Sequence, residues 1–266
     1  MSSAKPIGVF DSGIGGLTVL KEIRYHLPGE DLVYFGDTAR VPYGIKSADT
    51  VTRFSHEIAG FLLRMDIKML VVACNTATAC ALGSLRERLP IPVIGVLMPG
   101  AYAATRATVT GRVGVIGTEG TINSGVYARL IRNIRPETEV FARPCPLFVP
   151  LVEEGRLTGE ITRLAAEENL APLKEERIDT LVLGCTHYPL LKQVIGQVMG
   201  KSVVLVDSAH ETAQEVKRVL AKKAIANLPN REAATRYFVT DAPERFKTIG
   251  ERFLGYEISK VEKAEL

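Results

Sequence analysis

Short apolar runs alternate with amphipathic stretches along the first hundred residues. The runs are rich in Val, Ile and Leu and lack polar alternation, which is typical of parallel strands covered on both faces. They read IGVF, LVYF, MLVVA and VIGV, and they begin at Ile7, Leu32, Met69 and Val93. Because the stretches between them have the apolar spacing of helices, the pattern predicts a series of βαβ units.

The series starts again after Gly100. The second set of apolar runs reads VGVIG, TEVFA, TLVLG and VVLVD, with helical patterns between them. An offset of 106 residues relates Gly8 to Gly114, and an offset of 111 relates Cys74 to Cys185. Internal duplication explains a match that stays nearly in register across four strands. The sequence therefore predicts an α/β fold with two similar Rossmann-like domains related by pseudo-twofold duplication. Ligands, and any active site, are expected in the interdomain cleft at the carboxyl ends of the strands.

A further segment follows the second series. It contains a helical pattern over residues 211–225, the apolar run RYFVT, and a helical pattern over residues 243–255. We expect this segment to pack back on the first domain. The predicted first domain is then discontinuous and comprises residues 1–98 and 209–266, whereas the second comprises residues 99–208.

The composition is that of an ordinary folded protein. Of 266 residues, 46% are hydrophobic and 24% are charged, and the net charge of +3 arises from 33 basic and 30 acidic residues dispersed along the chain. Without a dense basic tract, nucleic acid is not an expected partner. No apolar run approaches the roughly 18 to 20 residues of a membrane helix, and the amino-terminal stretch does not have the apolar length of a signal peptide. We therefore expect a cytoplasmic protein that does not bind membranes.

The four cysteines are Cys74, Cys80, Cys145 and Cys185. Without a secretory signal they are expected to be reduced thiols. A free cysteine is most often a small packing residue, and this interpretation is adopted for Cys80 and Cys145. Cys74 and Cys185 differ because each follows the third strand of its copy. Two thiols at equivalent positions indicate a joint function.

Each of these two thiols is followed by residues that favour the N-cap of a helix. They are Asn75 and Thr76 in the first copy, and Thr186 and His187 in the second. The sequence thus predicts a helix N-terminus beside each thiol, where the helix dipole favours the thiolate. If the domains face each other, one thiol could remove a proton from a carbon and the other could return one to its opposite face. Such a reaction inverts a stereocentre.

Other polar residues lie at the predicted carboxyl ends of the strands. The first copy offers Asp11, Ser12, Asp37, Tyr43 and Gly44, and the second offers Thr118, Thr121 and Glu153. The turn DSGIGG lacks the third glycine of a dinucleotide fingerprint, and no GK[ST] phosphate motif is present. The glycines could be purely structural, and Glu153 alone could be a surface acid. The position of these residues nevertheless makes them candidates for ligand contact.

Three other functions stay open. A zinc site could use Cys74, Cys185 and His187, but it is disfavoured because the sequence has no CxxC pair, and no metal is expected. The remaining histidines lie in helical or flanking segments: His26, His56 and His210. Acyl transfer by Cys185 with His187 would leave Cys74 unexplained. A non-enzymatic two-domain binding protein would use the same cleft but would not need a thiol in each wall.

Four motifs in this chain closely resemble those of the glutamate racemases, in the cofactor-independent aspartate/glutamate racemase superfamily. They are GVFDSGIGGLTVL, YFGDTARVPYG, VVACNTATA and LVLGCTHYPLL. The similarity runs across essentially the whole chain, and His187 directly after GCT is similar to the glutamate branch of the superfamily. The resemblance implies interconversion of L- and D-glutamate by two bases, without pyridoxal phosphate or another cofactor. It also implies a role in peptidoglycan synthesis and cell shape, and a homodimer is the expected assembly.

The resemblance further implies roles for individual residues. Cys74 would act on the α-proton of the D-isomer and Cys185 on that of the L-isomer, while Asp11 and His187 would assist the respective thiols and Glu153 would support His187. The implied substrate contacts are Asp11, Ser12, Tyr43, Gly44, Asn75, Thr76, Thr118, Thr121, Thr186 and His187.

Overall fold

The computed structural model describes residues 4–228 and 232–266. Their strands all run parallel to their neighbours, in two sheets. The strands are β1 Ile7–Asp11, β2 Leu32–Gly36, β3 Met69–Val72, β4 Val93–Gly95, β5 Arg112–Gly117, β6 Glu139–Pro144, β7 Thr180–Gly184, β8 Val204–Asp207, β9 Thr235–Val239 and β10 Val261–Lys263.

Helices connect the strands. They are α1 Leu17–His26, α2 Ala48–Arg64, α3 Asn75–Arg88, α4 Leu97–Ala107, α5 Glu119–Asn123, α6 Val126–Ile134, α7 Phe148–Glu153, α8 Glu160–Glu175, α9 Lys192–Met199, α10 Ser208–Lys222 and α11 Pro243–Leu254. Short 3₁₀ turns add Tyr43–Ile45 and Tyr188–Leu191. In the described part of the chain, no helix combines the length and the apolar content that crossing a membrane requires.

The two sheets repeat one topology. The first has the order β10-β9-β2-β1-β3-β4 and the second has the order β6-β5-β7-β8. The order 2-1-3-4 of the first sheet therefore recurs as 6-5-7-8 in the second. In each sheet the strand order reverses beside the first strand of the copy, where parallel sheets bind their ligands. The predicted α/β fold class with two similar halves is confirmed.

A shared packing detail also relates the two halves. A Cβ atom added to Gly8 in β1 would lie 2.8 Å from the side chain of Ile67, and one added to Gly114 in β5 would lie closer still to that of Ile178. Each isoleucine precedes the third strand of its half by a few residues. The strand glycine lets that side chain pack against the sheet, so the repeat in sequence corresponds to a repeat in core packing.

The carboxy-terminal segment extends the first sheet. Strand β9 pairs with β2, and β10 pairs with β9 at the sheet edge. The chain therefore returns to the first sheet after it has formed the second. The predicted division at residues 98/99 falls inside helix α4, and the domain boundaries themselves stay a prediction.

Two helical segments differ from the sequence pattern. The second series of the sequence pattern starts after Gly100, yet Pro99 and Gly100 belong to α4, which buries Leu97, Ala101 and Ala104 against the second sheet. Proline is compatible with a first helical turn, whose N–H groups have no intrahelical acceptor. The helical pattern between the runs VGVIG and TEVFA is divided into α5 and α6 at Gly125, which has the left-handed φ of 64°.

Candidate active site

The two thiols at the equivalent strand ends meet at one cavity. Cys74 follows β3 after one intervening residue, and Cys185 follows β7 directly. Both line a cavity of about 30 Å³. Only 6% of Cys74 and 7% of Cys185 is exposed, so neither is an accessible surface thiol. The predicted meeting of the two strand ends is therefore present in the folded chain.

Cys74 is itself the N-cap of α3. Its sulfur accepts a hydrogen bond from the N–H of Ala77 at 3.4 Å, and its thiol donates to Ser12 Oγ at 3.6 Å. Asn75 was expected to be a cap residue, but it is the first residue of the helix. Burial raises the pKa of Cys74 to about 12, with a further rise from the Asp11 carboxylate, and these effects outweigh the two hydrogen bonds. The N–H at the helix start lowers the pKa of Cys74, as the sequence predicts, but in this closed form desolvation dominates and the thiol stays protonated at neutral pH.

Cys185 has a different neighbourhood. The residues after it form a 3₁₀ turn, and α9 begins only at Lys192, so the helix N-terminus expected beside this thiol is a single short turn. The Cys185 sulfur lies 3.8 Å from Nδ1 of His187. On the other side of the ring, Nε2 lies 3.1 Å from Oε1 of Glu153. A thiol, an imidazole and a carboxylate therefore follow one another in a line.

The charges in this line depend on each other. Burial lowers the pKa of His187, but the hydrogen bonds with Cys185 and Glu153 and the charges of Cys185 and Asp11 raise it to about 10. Burial raises the pKa of Glu153, yet its hydrogen bond and ion pair with His187 bring that pKa below its usual value. At neutral pH the imidazole therefore carries a proton and the carboxylate is ionised.

Asp11 lies behind the cavity wall and is fully buried. Its carboxylate accepts hydrogen bonds from the N–H of Gly13 at 3.0 Å and from Thr186 Oγ1 at 3.4 Å. Burial raises the pKa of Asp11, and the charge of His187 with these hydrogen bonds offsets only part of that rise. The contact with Thr186 joins the end of β1 to the segment after β7, so Asp11 connects the two halves of the site.

Three threonine hydroxyls form a second connection between the halves. Thr76 stands at the start of α3, while Thr118 and Thr121 belong to the first turn of α5 and its N-cap. The Oγ1 atom of Thr76 lies 2.9 Å from that of Thr118 and 3.1 Å from that of Thr121, and the latter two are 3.2 Å apart. These hydroxyls line the cavity and can turn towards a polar ligand.

The loop after β2 closes one side of the cavity. Tyr43 is buried, and its hydroxyl donates a hydrogen bond to the carboxylate of Asp37, which also pairs with Arg40. A Cβ atom on Gly44 would lie less than 3.0 Å from the side chain of Thr118. Only glycine lets this loop approach α5 so closely. The hydroxyl of Tyr43 therefore supports the loop, and Tyr43 and Gly44 both line the cavity.

The structure brings the thirteen residues with implied catalytic or substrate-binding roles into one region, whereas Asp37, also a candidate for ligand contact, does not line the cavity and instead accepts the hydrogen bond from Tyr43. Asp11 and Glu153 lie behind the wall and contact residues that line it. The others line the cavity: Ser12, Tyr43, Gly44, Cys74, Asn75, Thr76, Thr118, Thr121, Cys185, Thr186 and His187. Their individual roles stay predictions.

Comparison with known proteins identifies the family of this chain. The family model of Asp/Glu/Hydantoin racemase matches residues 7–216. The chain belongs to this racemase family. The glutamate racemase of Geobacter metallireducens is 57% identical to it over 262 residues, which are 98% of this chain and 97% of the relative.

Solved racemase structures have the same fold across their whole length. The glutamate racemase isoform RacE1 of Bacillus anthracis has a TM-score of 0.94 at 43% identity, with 99% of this chain and 98% of that chain covered. The glutamate racemase of Francisella tularensis in complex with D-glutamate has a TM-score of 0.92 at 40% identity, with the same coverage. The predicted resemblance to glutamate racemases is confirmed.

Tyr127 lies near the cavity of this racemase and was not predicted from the sequence. The hydroxyl of Tyr127, on α6, donates a hydrogen bond of 2.8 Å to Oδ1 of Asn75. This bond fixes the orientation of the amide. Its Nδ2 atom is buried and has no hydrogen-bond acceptor among the described residues. No local pattern marks Tyr127, because its partner lies 52 residues away. The unpaired Nδ2 is a donor available to a ligand in the cavity.

Proposed function

We propose that this racemase interconverts L- and D-glutamate by proton transfer at the α-carbon, with Cys74 and Cys185 as the two bases and without a cofactor. The observation that carries the proposal is the pair of thiols at equivalent strand ends of one cavity. The glutamate racemases to which the chain is similar support glutamate as the substrate. Among the residues that the structure describes, no lysine lines the cavity in a position to form a Schiff base with pyridoxal phosphate.

In the direction from L to D, Cys185 removes the α-proton. The S–H bond forms as the Cα–H bond breaks. His187, which is protonated and paired with Glu153, places a positive charge beside that sulfur. Cys74 then donates its proton to the opposite face of the α-carbon and becomes a thiolate. Burial raises the pKa of Cys74 to about 12, so this thiol enters the reaction as a proton donor. From D to L, Cys74 is the base, Cys185 is the acid, and the protons move in reverse.

The substrate carboxylates need hydrogen-bond donors, and the cavity supplies neutral ones. Asn75 Nδ2, the hydroxyls of Thr76, Thr118 and Thr121, and main-chain N–H groups at helix starts suit carboxylate oxygens. Such donors also stabilise the negative charge that develops when the α-proton leaves. The described part of the chain places neither lysine nor arginine in the cavity lining, so recognition of the carboxylates depends on oriented dipoles.

The halves must separate for the substrate to enter. A volume of about 30 Å³ holds one or two water molecules, whereas glutamate is several times larger. We infer that the described conformation is closed and that opening of the cleft precedes binding. Reclosure then excludes water from the reacting carbon.

The wider role belongs to the same proposal. A glutamate racemase of this kind would supply D-glutamate for peptidoglycan synthesis in the cytoplasm and would act as a homodimer. A purified sample that sediments as a monomer at its working concentration would remove the dimer from the proposal.

A second candidate function is acyl transfer by Cys185. The line from Cys185 through His187 to Glu153 favours it, because a cysteine nucleophile uses an imidazole oriented by a third group. It leaves Cys74 without a role. Acyl transfer also predicts that the α-proton of a bound amino acid does not exchange with solvent.

The testing experiment follows the α-proton directly. The purified protein is incubated with L-glutamate in heavy water without added cofactor, and proton NMR and chiral chromatography follow the sample. D-glutamate that carries deuterium at the α-carbon is the expected product, and Cys80→Ser should behave like the parent. If neither exchange nor inversion occurs, with aspartate equally inert, the proposed function is wrong.

A further inference from the structure

Three potential metal ligands meet on the surface, away from the cavity. Glu22 and His26 lie on α1, and His210 lies in the first turn of α10. In the described part of the chain, these are the only three side chains of the His, Cys, Asp or Glu type whose donor atoms come within 4.8 Å of one another. Although 184 residues separate His26 from His210, the packing of α1 against α10 brings the two imidazoles together.

The three donor atoms form a nearly regular triangle. Nε2 of His26 is 3.2 Å from Nδ1 of His210, and Oε2 of Glu22 is 3.5 Å from each of these nitrogens. Around tetrahedral zinc, bonds of about 2.0 to 2.1 Å place the ligand atoms about 3.3 to 3.4 Å apart. The observed triangle has the dimensions of one face of that tetrahedron. We propose that Glu22, His26 and His210 bind a zinc ion, with a fourth position open to water.

The local structure preorganises this triangle. Glu22 and His26 are four residues apart on α1, so their side chains point to the same side of the helix. Two neutral imidazoles and one carboxylate are ligands that zinc uses when one coordination position stays open. His210 is 53% exposed in its side chain, which leaves that position accessible to solvent.

The surroundings complete the site. The side-chain amide of Gln214 lies 3.4 Å from Nδ1 of His26, the ring nitrogen that faces away from the triangle. After rotation of the amide, its oxygen is the acceptor that a zinc-bound neutral imidazole needs for its N–H. The two nearby cations have partners elsewhere, since Lys21 donates to the carbonyl of Phe253 and Arg24 to that of Ala233. Neither ammonium nor guanidinium group occupies the triangle.

Zinc at this position would join two parts of the fold. Helix α1 follows the turn that begins at Asp11, and α10 follows β8 of the second sheet, where the chain returns to the first. A metal that binds these helices together stabilises only the folded state, so the melting temperature should rise with zinc concentration. This site is separate from the cavity, so its test does not depend on the proposed racemisation.

The test titrates chelator-treated protein with zinc against a competing fluorescent chelator. One equivalent should bind to the parent, and His26→Gln and His210→Gln should each weaken binding more than about 100-fold, because even changes beyond the ligands cost about 10- to 100-fold. His56→Gln is the matched control, since His56 forms a hydrogen bond with Ser84 and lies outside the triangle. Circular dichroism and activity should be unchanged in all three variants. Equal zinc affinity in the parent and both ligand variants, or no stoichiometric binding by the parent, would overturn the proposal.

Cobalt distinguishes the triangle from the cavity thiols. Cobalt bound by Glu22, His26 and His210 should give tetrahedral ligand-field absorption without a thiolate charge-transfer band, and Cys185→Ser should bind it as the parent does. A thiolate band that disappears in Cys185→Ser, with binding lost, would assign the metal to the cavity and contradict the surface site.

Discussion

At the scale of single residues, the two thiols have unlike partners. Cys74 is accompanied by a hydroxyl, a main-chain N–H and a buried carboxylate, whereas Cys185 faces a protonated imidazole. Negative charge therefore lies beside one thiol and positive charge beside the other. We expect the two directions of the reaction to respond differently to changes in these partners.

His187→Asn should make stability less dependent on pH. Burial lowers the pKa of His187, but Cys185 and Glu153 raise it to about 10, against 6.5 for the free side chain. Between these values the folded state holds a proton that the unfolded chain has lost. The resulting stabilisation is complete below pH 6.5 and disappears as the pH rises through 10. From about pH 6.5 to 8.5, the unfolding free energy of the parent should fall more steeply than that of the variant, by at most about 1.4 kcal/mol per pH unit.

Urea denaturation at several pH values measures both slopes. The pH range ends near 8.5 because the cysteines of the unfolded chain begin to ionise there. Identical slopes in the two proteins would show that His187 does not hold the extra proton.

At the scale of elements, the site depends on how closely the segments after the strands approach each other. The turn between β1 and α1 contacts the segment after β7 at Gly15, where an added Cβ atom would lie less than 3.0 Å from Thr186 Oγ1 and His187 Nδ1. The two strand ends thus meet through a glycine rather than through interlocking side chains. A methyl group at this contact must displace the residues that the reaction uses.

Gly15→Ala should reduce both stability and racemisation, whereas Gly83→Ala should not. Overpacking typically costs about 1 to 3 kcal/mol, and here it acts on Thr186 and His187. Gly83 lies inside α3 with nothing within 4 Å of an added Cβ atom, so alanine there should stabilise by up to about 1 kcal/mol. Urea unfolding measures the stability of both variants, and initial rates of racemisation measure their activity. A Gly15→Ala protein with parental stability and rate would contradict the close contact.

The strands were predictable from sequence because their signal is local. Continuous apolar runs such as Met69–Val72 identify buried parallel strands without knowledge of their neighbours. The same runs gave the duplication, and the duplication predicted that Cys74 and Cys185 meet. Helix α4 was not predicted, because the sequence MPG at residues 98–100 resembles a link between the two series. The burial of Ala101 and Ala104, which face inward from this helix, depends on the second sheet.

Side-chain partners across the fold were not predictable in the same way. The bond from Tyr127 to Asn75 and the meeting of His26 with His210 arise from helix packing, for which the single sequence carries no local pattern. The raised pKa of Cys74 also depends on burial in the closed site. A helix terminus can be recognised in a sequence, but the desolvation that opposes it requires the tertiary structure.

At the scale of the whole molecule, the two sheets and the cavity between them form a closed arrangement. Contacts between Asp11 and Thr186 and between the three threonine hydroxyls hold the halves together. These are single hydrogen bonds, each worth about 1 kcal/mol, so breaking them costs little when the cleft opens. The closed form and its opening should be detectable through the accessibility of the thiols.

Iodoacetamide should modify Cys80 faster than the cavity thiols. Cys80 is partly exposed, whereas Cys74 and Cys185 can be reached only when the cleft opens, and burial raises the pKa of Cys74 to about 12. Saturating D-glutamate should slow modification of the two cavity thiols and leave Cys80 unchanged. Peptide mass spectrometry over time follows each cysteine in the same sample, so Cys80 is an internal control. Cavity thiols that react as fast as Cys80 would argue against a closed resting state.

The assignment of one thiol to each isomer is the central claim, and exchange by variants with a single cavity thiol tests it most directly. Cys74→Ser, Cys185→Ser and the control Cys80→Ser are incubated with each isomer of glutamate in heavy water, and NMR follows the α-proton. Both cavity variants should lose racemisation by roughly 10²- to 10⁴-fold. Cys74→Ser should still exchange the α-proton of L-glutamate and not that of D-glutamate, and Cys185→Ser should show the reverse. Exchange of both isomers by either variant, or racemisation at the parental rate, would contradict the two-base mechanism.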